Sequence, residues 1–347
     1  MTEKHKKIFI HAANQVSIQQ PLSEDWMEAP IGYDVPLARA IEPTFRDYMA
    51  ANEVRRMSKI TKRAIVTTLA TLRTAGVEHP DAIISGTSIG SLDYTERFLN
   101  ALTENGEQML SPTYFMQSTH NTVSSALAIF TKTHGYNTTY SHGEISFELA
   151  LQDAWMQLQL GDISHALVGG FDEMIDSYYE LLQKAGYVGQ PGMVPCSEVS
   201  VSMLLSSKAS EDSLCRLAGV CILSATALSK VQDTLTTMLS DAGLTPDDVG
   251  AVMTGINGNS QNDAIYNKVC HQLLPAASML HYKHLFGENY TSPALGTYAV
   301  AHCLKRDLIP ATLFIERDHP STPAPQAILL VNQSNSKEIS FTLLQKS

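Results

Sequence analysis

Short apolar runs of strand length alternate along the chain with longer stretches whose apolar residues recur at helical spacing. The runs predict strands at 7–11, 82–85, 137–141, 165–168, 200–206, 217–223, 251–254, 327–332 and 340–344. The periodic stretches predict helices at 60–75, 91–103, 145–160, 228–242 and 295–305. The fourth of these stops at Gly243, with Pro246 soon after, which is how a helix ends when the chain must turn and cannot continue. Strands separated by helices define an α/β fold with helices layered on sheets. Beyond residues 207–213 the theme of strand, helix, strand starts again, which predicts two duplicated halves, 1–206 and 207–347. There is no short-period repeat and no low-complexity tract.

Composition narrows the function. The 347 residues exceed one ordinary domain of roughly 150. With 44% hydrophobic and 17% charged residues the chain is a globule, which excludes disorder and a collagen-like fibre. Apolar stretches such as Ile83-Ile84 or Ala166-Leu167-Val168 fall far short of the roughly 18 residues of a membrane span, so no membrane association is expected. Residues Met1 to Lys7 are charged and lead only into Ile8-Phe9-Ile10, with no long apolar core or small-residue cleavage site, so the expected location is the cytoplasm. Lys plus Arg (24) against Asp plus Glu (35) gives a net charge of −11 with no basic run, which argues against nucleic acid.

Five cysteines, Cys196, Cys215, Cys221, Cys270 and Cys303, are odd in number and lack C-x-x-C spacing, as expected of buried reduced thiols. Of the twelve histidines, only His281 and His284 share the spacing of one helical face, and they lack a third ligand nearby. Neither a metal nor a cofactor is expected.

The specific signals come in a fixed order. Arg55-Arg56-Met57 precedes a helix and then Gly86-Thr87-Ser88-Ile89-Gly90. Pro112 to Thr119 and Asn121-Thr122 precede another helix, and Gly135-Tyr136-Asn137 opens a strand. His165-Ala166-Leu167-Val168-Gly169-Gly170 follows, then Asp241-Ala242-Gly243-Leu244-Thr245-Pro246-Asp247-Asp248-Val249, and finally Lys283 with Gly287. Together, over nearly the whole chain, these segments resemble the β-ketoacyl synthase branch of the thiolase fold. The resemblance implies a thiolase-like five-layer αβαβα architecture built from two halves.

A condensing member of that family carries a Cys nucleophile at a helix N-terminus and two His residues. The helix end lowers the thiol pKa, and the imidazoles hold the developing negative charge. By the same resemblance the Cys position falls on Glu144, within Tyr140-Ser141-His142-Gly143-Glu144-Ile145. The first His position falls on Asn257 or, counting from Val249 without a gap, on Gly255; the second falls on Glu288, five residues after the retained Lys283. His284 reaches that position only by a four-residue slip. A carboxylate is a poor acceptor for an acyl group from a thioester, so no catalytic residue is expected at these positions. Plainer readings stay open. Glu144 caps the helix at 145–160, Glu288 is a solvated or hydrogen-bonded loop residue, Lys283 pairs with a carboxylate instead of binding substrate, and His142 is structural.

A family scaffold without its Cys and His resembles the chain length factor, the inactive subunit that pairs with a catalytic ketosynthase in type II polyketide and polyene pathways. The resemblance implies a heterodimer formed edge to edge through the strand at 137–141, with acyl carrier protein reached through the complex. It places Tyr114, Phe115, Met116 and Gln117 across the dyad, at the floor of the partner's acyl tunnel; the plain alternative is that Tyr114, Phe115 and Met116 fill core. Short linkers at 105–112 and 178–195 resemble the compact ketosynthase-like subunits of aryl polyene and flexirubin clusters. The competing readings are an enzyme in which Glu144 acts as a base or assists decarboxylation of a malonyl thioester, and a homodimeric module that binds acyl groups or carrier protein.

Overall fold

Ten strands and eleven helices make up the described part of the computed structural model, residues 6–55, 57–108, 110–224, 227–316, 318–334 and 337–347. Residues 1–5 of the N-terminal reading, and Arg56 of the Arg55-Arg56-Met57 motif, lie outside it. The strands are β1 (Ile8–Val16), β2 (Ala82–Gly86), β3 (Tyr136–Tyr140), β4 (His165–Asp172), β5 (Val199–Ser206), β6 (Cys215–Leu223), β7 (Val249–Thr254), β8 (Ser278–His281), β9 (Ala327–Ser334) and β10 (Glu338–Gln345). The helices are α1 (Ala51–Val54), α2 (Lys59–Ala75), α3 (Leu92–Asn105), α4 (Pro112–Ser118), α5 (Thr122–Thr131), α6 (Ser146–Leu160), α7 (Asp176–Lys184), α8 (Leu228–Ala242), α9 (Ser260–Lys268), α10 (Lys283–Phe286) and α11 (Pro293–Arg306).

The strand order runs β3-β2-β4-β5-β1 and then β6-β10-β9-β7-β8. Read outward from β1 and from β6, the two sets of five are the same arrangement: in each, two parallel pairings lie at the far end and two antiparallel pairings near the junction. Among the described residues, the strands of the two sets pair only where Ile8, Phe9 and Ile10 meet Leu217, Arg216 and Cys215. Helices α6 and α11 touch strands of both sets and form the central layer; α2 and α5 cover one outer face, and α8 and α9 the other. This is the five-layer αβαβα arrangement.

Local sequence explains the layers. The hydroxyl of Ser58 accepts from the Thr61 N–H to cap α2, which stops at Gly76 in the left-handed region. Helix α11 is buried almost all round, so it carries small residues, among them Ala294, Gly296, Ala299 and Ala301. A Cβ at Gly296 would lie 2.6 Å from Leu330 on β9.

Nine strands fall where the apolar runs predict them. β8 is additional, because Ser278-Met279-Leu280-His281 offers only two apolar residues as a signal. Helix α7 occupies part of 178–195, so that segment is not simply a linker. His281 ends β8 and His284 lies in α10, so they do not share one helix face; their rings stack at 3.7 Å instead. Cys196, Cys215, Cys270 and Cys303 are buried, Cys221 is half-buried, and all five are free thiols.

The two ends of the sheet differ. Among the described residues no strand lies beyond β3, and Tyr136 and Asn137 are exposed there. At the other end Leu280 of β8 bridges Phe314, and the Ile315 N–H reaches the Met279 carbonyl at 3.5 Å, so the segment after α11 covers that edge. Among the described residues, no helix is long and apolar enough to cross a membrane.

Candidate functional site

The chain leaves β3, turns at Gly143 with φ of 53°, makes a single 3-10 turn at Gly143–Ile145 and enters α6. Ser146 closes the turn: its hydroxyl donates to the Gly143 carbonyl and accepts from the His142 N–H, both at 2.8 Å. The turn sits tightly on β2. A Cβ on Gly86 would lie 2.5 Å from the Ser146 carbonyl oxygen, so this strand position has room only for glycine. The loop after Gly86 is held by Asp172, whose carboxylate accepts from the Thr87 hydroxyl at 2.7 Å and from the Ser88 and Ile89 N–H groups at 3.0 Å. Burial pushes the Asp172 carboxyl up to about 6.

That turn delivers Glu144 to a cavity of about 440 Å³, which Asn257, Lys283, Glu288, Tyr178 and Tyr290 also line. Glu144 is anchored to β9: its Oε2 accepts from the Ser334 hydroxyl at 2.6 Å, and its carbonyl accepts from Asn332 Nδ2 at 2.9 Å. His142 points the other way, pairing with Glu338 at 3.0 Å in a half-exposed position.

Opposite Glu144, three side chains complete one another. Lys283 Nζ donates to both oxygens of Glu288 at 2.8 and 2.9 Å, and Asn257 Nδ2 donates to Glu288 Oε2 at 2.6 Å. The Asn289 N–H adds a further bond to Glu288 Oε1 at 3.1 Å. The loop carrying Asn257 is fixed by Asp263, which accepts from the Asn257 and Gly258 N–H groups at 3.1 and 3.0 Å. Burial raises the pKa of Asp263. Lys283 therefore pairs with a carboxylate, the plainer of its two readings.

Between the two positions weighed for the first histidine, Asn257 is the one whose side chain reaches Glu288. At Gly255 an added Cβ would lie 2.6 Å from the Tyr266 hydroxyl and 3.3 Å from Lys283 Cε, so no side chain fits. His284 lies outside the cavity. Its Nε2 meets the Thr312 carbonyl at 2.8 Å, and burial lowers its pKa to about 4. Among the described residues no histidine lines the cavity, and the one cysteine that does, Cys196, has its thiol pushed up to about 12 by burial. A thiol that stays protonated is not a nucleophile at neutral pH.

Tyr114, Phe115, Met116 and Gln117 lie on α4 and do not reach this cavity. Phe115 is 58% and Met116 68% exposed, so for these two the core-filling reading is wrong. Their neighbours are aromatic: Tyr114 packs edge-on against Tyr94, and Phe115 against Phe98 at 5.5 Å between ring centres. Gln117 accepts from the Ser58 N–H at 3.2 Å.

Sequence spacing alone did not indicate Tyr178, Tyr290, Asn332 or Ser334. The Tyr178 and Tyr290 hydroxyls meet at 2.9 Å across the cavity from positions 112 residues apart, a proximity only the fold creates. Among the described residues no three His, Cys, Asp or Glu side chains are grouped to hold a metal ion.

A glycine-seated turn feeding the central helix, inside a duplicated five-layer fold, defines a thiolase-like ketosynthase chain. The family pattern described as β-ketoacyl synthase, N-terminal domain, matches residues 25–240, and the chain belongs to that family. A search of curated proteins finds no match. Among solved structures, the chain is similar to the ishigamide ketosynthase/chain length factor, with a TM-score of 0.82, 14% identity, and 99% of this chain and 100% of that chain covered. It is similar to a β-ketoacyl synthase from Burkholderia phymatum, with a TM-score of 0.81, 14% identity, and coverage of 99% and 100%. A ketosynthase in complex with its chain length factor from Xenorhabdus doucetiae gives a TM-score of 0.79, 15% identity, and coverage of 99% and 98%.

Proposed function

We propose that this chain is a noncatalytic, chain-length-factor-like subunit. In this reading it pairs through β3 with a catalytic β-ketoacyl carrier-protein synthase in the cytoplasm and shapes the acyl cavity of the pair. Residues 1–206 and 207–347 are its two halves, and acyl carrier protein engages the complex. The observation that carries the reading is the cluster centred on Glu288, which accepts from both Asn257 and Lys283 in the cavity that Glu144 also lines. Where condensation needs a thiolate and two imidazole donors, these groups satisfy one another and offer no nucleophile.

Two further observations support it. Met174 lines both this cavity and a second one, whose lining includes the buried Arg63 held between Glu42 at 2.6 Å and Glu198 at 3.1 Å. In this reading an acyl chain that passed from the first cavity into the second would have to displace Met174 and disturb that ion network, which is unfavourable. At β3 the open edge is flanked by exposed apolar side chains, Ile129 on α5 and Met156 and Leu160 on α6, the kind of surface a partner covers. Two of the similar structures carry chain length factors in their names, which fits this reading; an aryl polyene or flexirubin setting is its narrower form.

The test is the native mass of the tagged protein purified gently from its host. An equimolar companion of ketosynthase size is the expected result. A homodimer without such a companion, or decarboxylation of malonyl carrier protein by the isolated chain, overturns the proposal.

A further inference from the structure

Glu148 lies on α6 one turn past Glu144 and is wholly removed from solvent. Its Oε1 accepts from Asn332 Nδ2 at 2.7 Å and from the Ser340 hydroxyl at 2.9 Å, while its Oε2 has no partner among the described residues. The same Asn332 amide donates to the Glu144 carbonyl. One side chain of β9 thus ties a buried acid to the turn that carries Glu144, and Ser334, two residues further along β9, holds the Glu144 carboxylate itself.

The groups facing Glu148 do not include a spare cation. Lys283 acts on it from α10 but is bound by both oxygens of Glu288. Tyr266 on α9 and Tyr282 before α10 are fully buried phenols with pKa values well above the ordinary 10, because burial disfavours their charged forms. Tyr266 donates to Asn332 Oδ1 at 3.5 Å, so the amide is engaged at both ends. Burial pushes the Glu148 carboxyl up to about 7, outweighing the hydrogen bonds from Ser340, Asn332 and its own backbone and the charge of Lys283, all of which favour ionisation.

We propose that Glu148 is a positioning residue: as a neutral carboxylic acid it holds Asn332, and through it the turn at 143–145, and its ionisation loosens that turn. Two neutral donors on one oxygen recover only part of the hydration a carboxylate loses, and the other oxygen recovers none. The charged form is relieved by admitting water between α6 and β9, where the bonds to Glu144 lie. The orientation of Glu144 in the cavity then depends on pH near neutrality. This goes beyond the subunit reading and needs only this chain.

The experiment is amide hydrogen exchange of a peptide covering 142–148, between about pH 6 and about 8.5, corrected for the intrinsic rate. In the wild type, protection is expected to fall roughly tenfold across that range, a change of about 1.4 kcal/mol. In Glu148→Gln, which keeps shape and neutrality, protection stays level. Parallel profiles in the two proteins overturn the proposal, since a merely structural role moves both alike. Should Glu148→Gln fail to fold, a carbon-13 carboxyl titration of the wild type decides: a Glu148 midpoint near 7 that moves the Ser146 amide signal supports it, and a midpoint below about 5 overturns it.

Discussion

Lys283 lays its ammonium across both oxygens of Glu288, and Asn257 closes the same carboxylate from the other side at 2.6 Å. Both ionic side chains are largely buried, with 7% and 16% of their surfaces exposed. The two opposite charges are thereby neutralised within the chain.

Removing Lys283 leaves Glu288 as a largely buried charge without its cation. Lys283→Met is expected to lower unfolding stability by about 3 kcal/mol, and the double variant Lys283→Met with Glu288→Leu to recover most of it. Urea unfolding measures both. Additive losses in the double variant would show that the pair is not coupled.

Ile129 is 76% exposed on α5 beside the open strand β3. Ile129→Asp should release the partner, seen as a fall in native mass, while the stability of the single chain moves by no more than roughly 0.5 kcal/mol. Retained mass would place the interface elsewhere.

In a complex reconstituted with a catalytic ketosynthase, Phe115→Ala on α4 is expected to lengthen the products, because a bulky wall at the partner's tunnel is removed. Glu144→Ala should leave the condensation rate within about twofold, since no step is assigned to that carboxylate. Loss of condensation in Glu144→Ala would instead make this residue part of the chemistry.

Burial lowers the pKa values of both His281 and His284 to about 4, from the ordinary 6.5. In the unfolded chain these rings take up protons first, so stability from this pair is complete above about 6.5 and is lost as pH falls toward about 4. Asp172 and Glu173 act in the opposite sense: burial raises them from the ordinary 3.8 and 4.5 to about 6 and about 7, so their contribution is complete below about 4 and is lost as pH rises through those raised values. A difference between variants isolates the histidines. His284→Gln keeps a donor for the Thr312 carbonyl and should gain on the wild type steadily as pH drops from about 6.5 to about 4, measured by chemical denaturation. A constant difference would mean that the ring has the same pKa folded and unfolded.

Much of this was legible in the chain. Eight of the nine predicted strands announced themselves because each buries apolar residues, and β3 by its β-forming Tyr and Thr although none of it is buried, whereas β8 buries little and is recognisable only once Leu280 is seen against Phe314. Glu144 and Glu288 could be placed through the resemblance to the ketosynthase motifs, and the first histidine position narrowed to Asn257 or Gly255. Tyr178, Tyr290, Asn332 and Ser334 could not, since their place in the site depends on how β9, α7 and the loop before α11 converge. Gly86 was visible as part of a motif, but its reason, the close approach of the Ser146 carbonyl, exists only in three dimensions.

The unequal ends of the sheet set how far assembly can run. A protein with two bare edges can add neighbours at both and grow without limit, as fibrils do. Here the segment around Phe314 shuts the β8 end, so each molecule offers a single growing edge at β3. In the proposed pairing, two such one-ended sheets stop each other when they meet, so a closed pair is the end point and stacking into filaments a dead end.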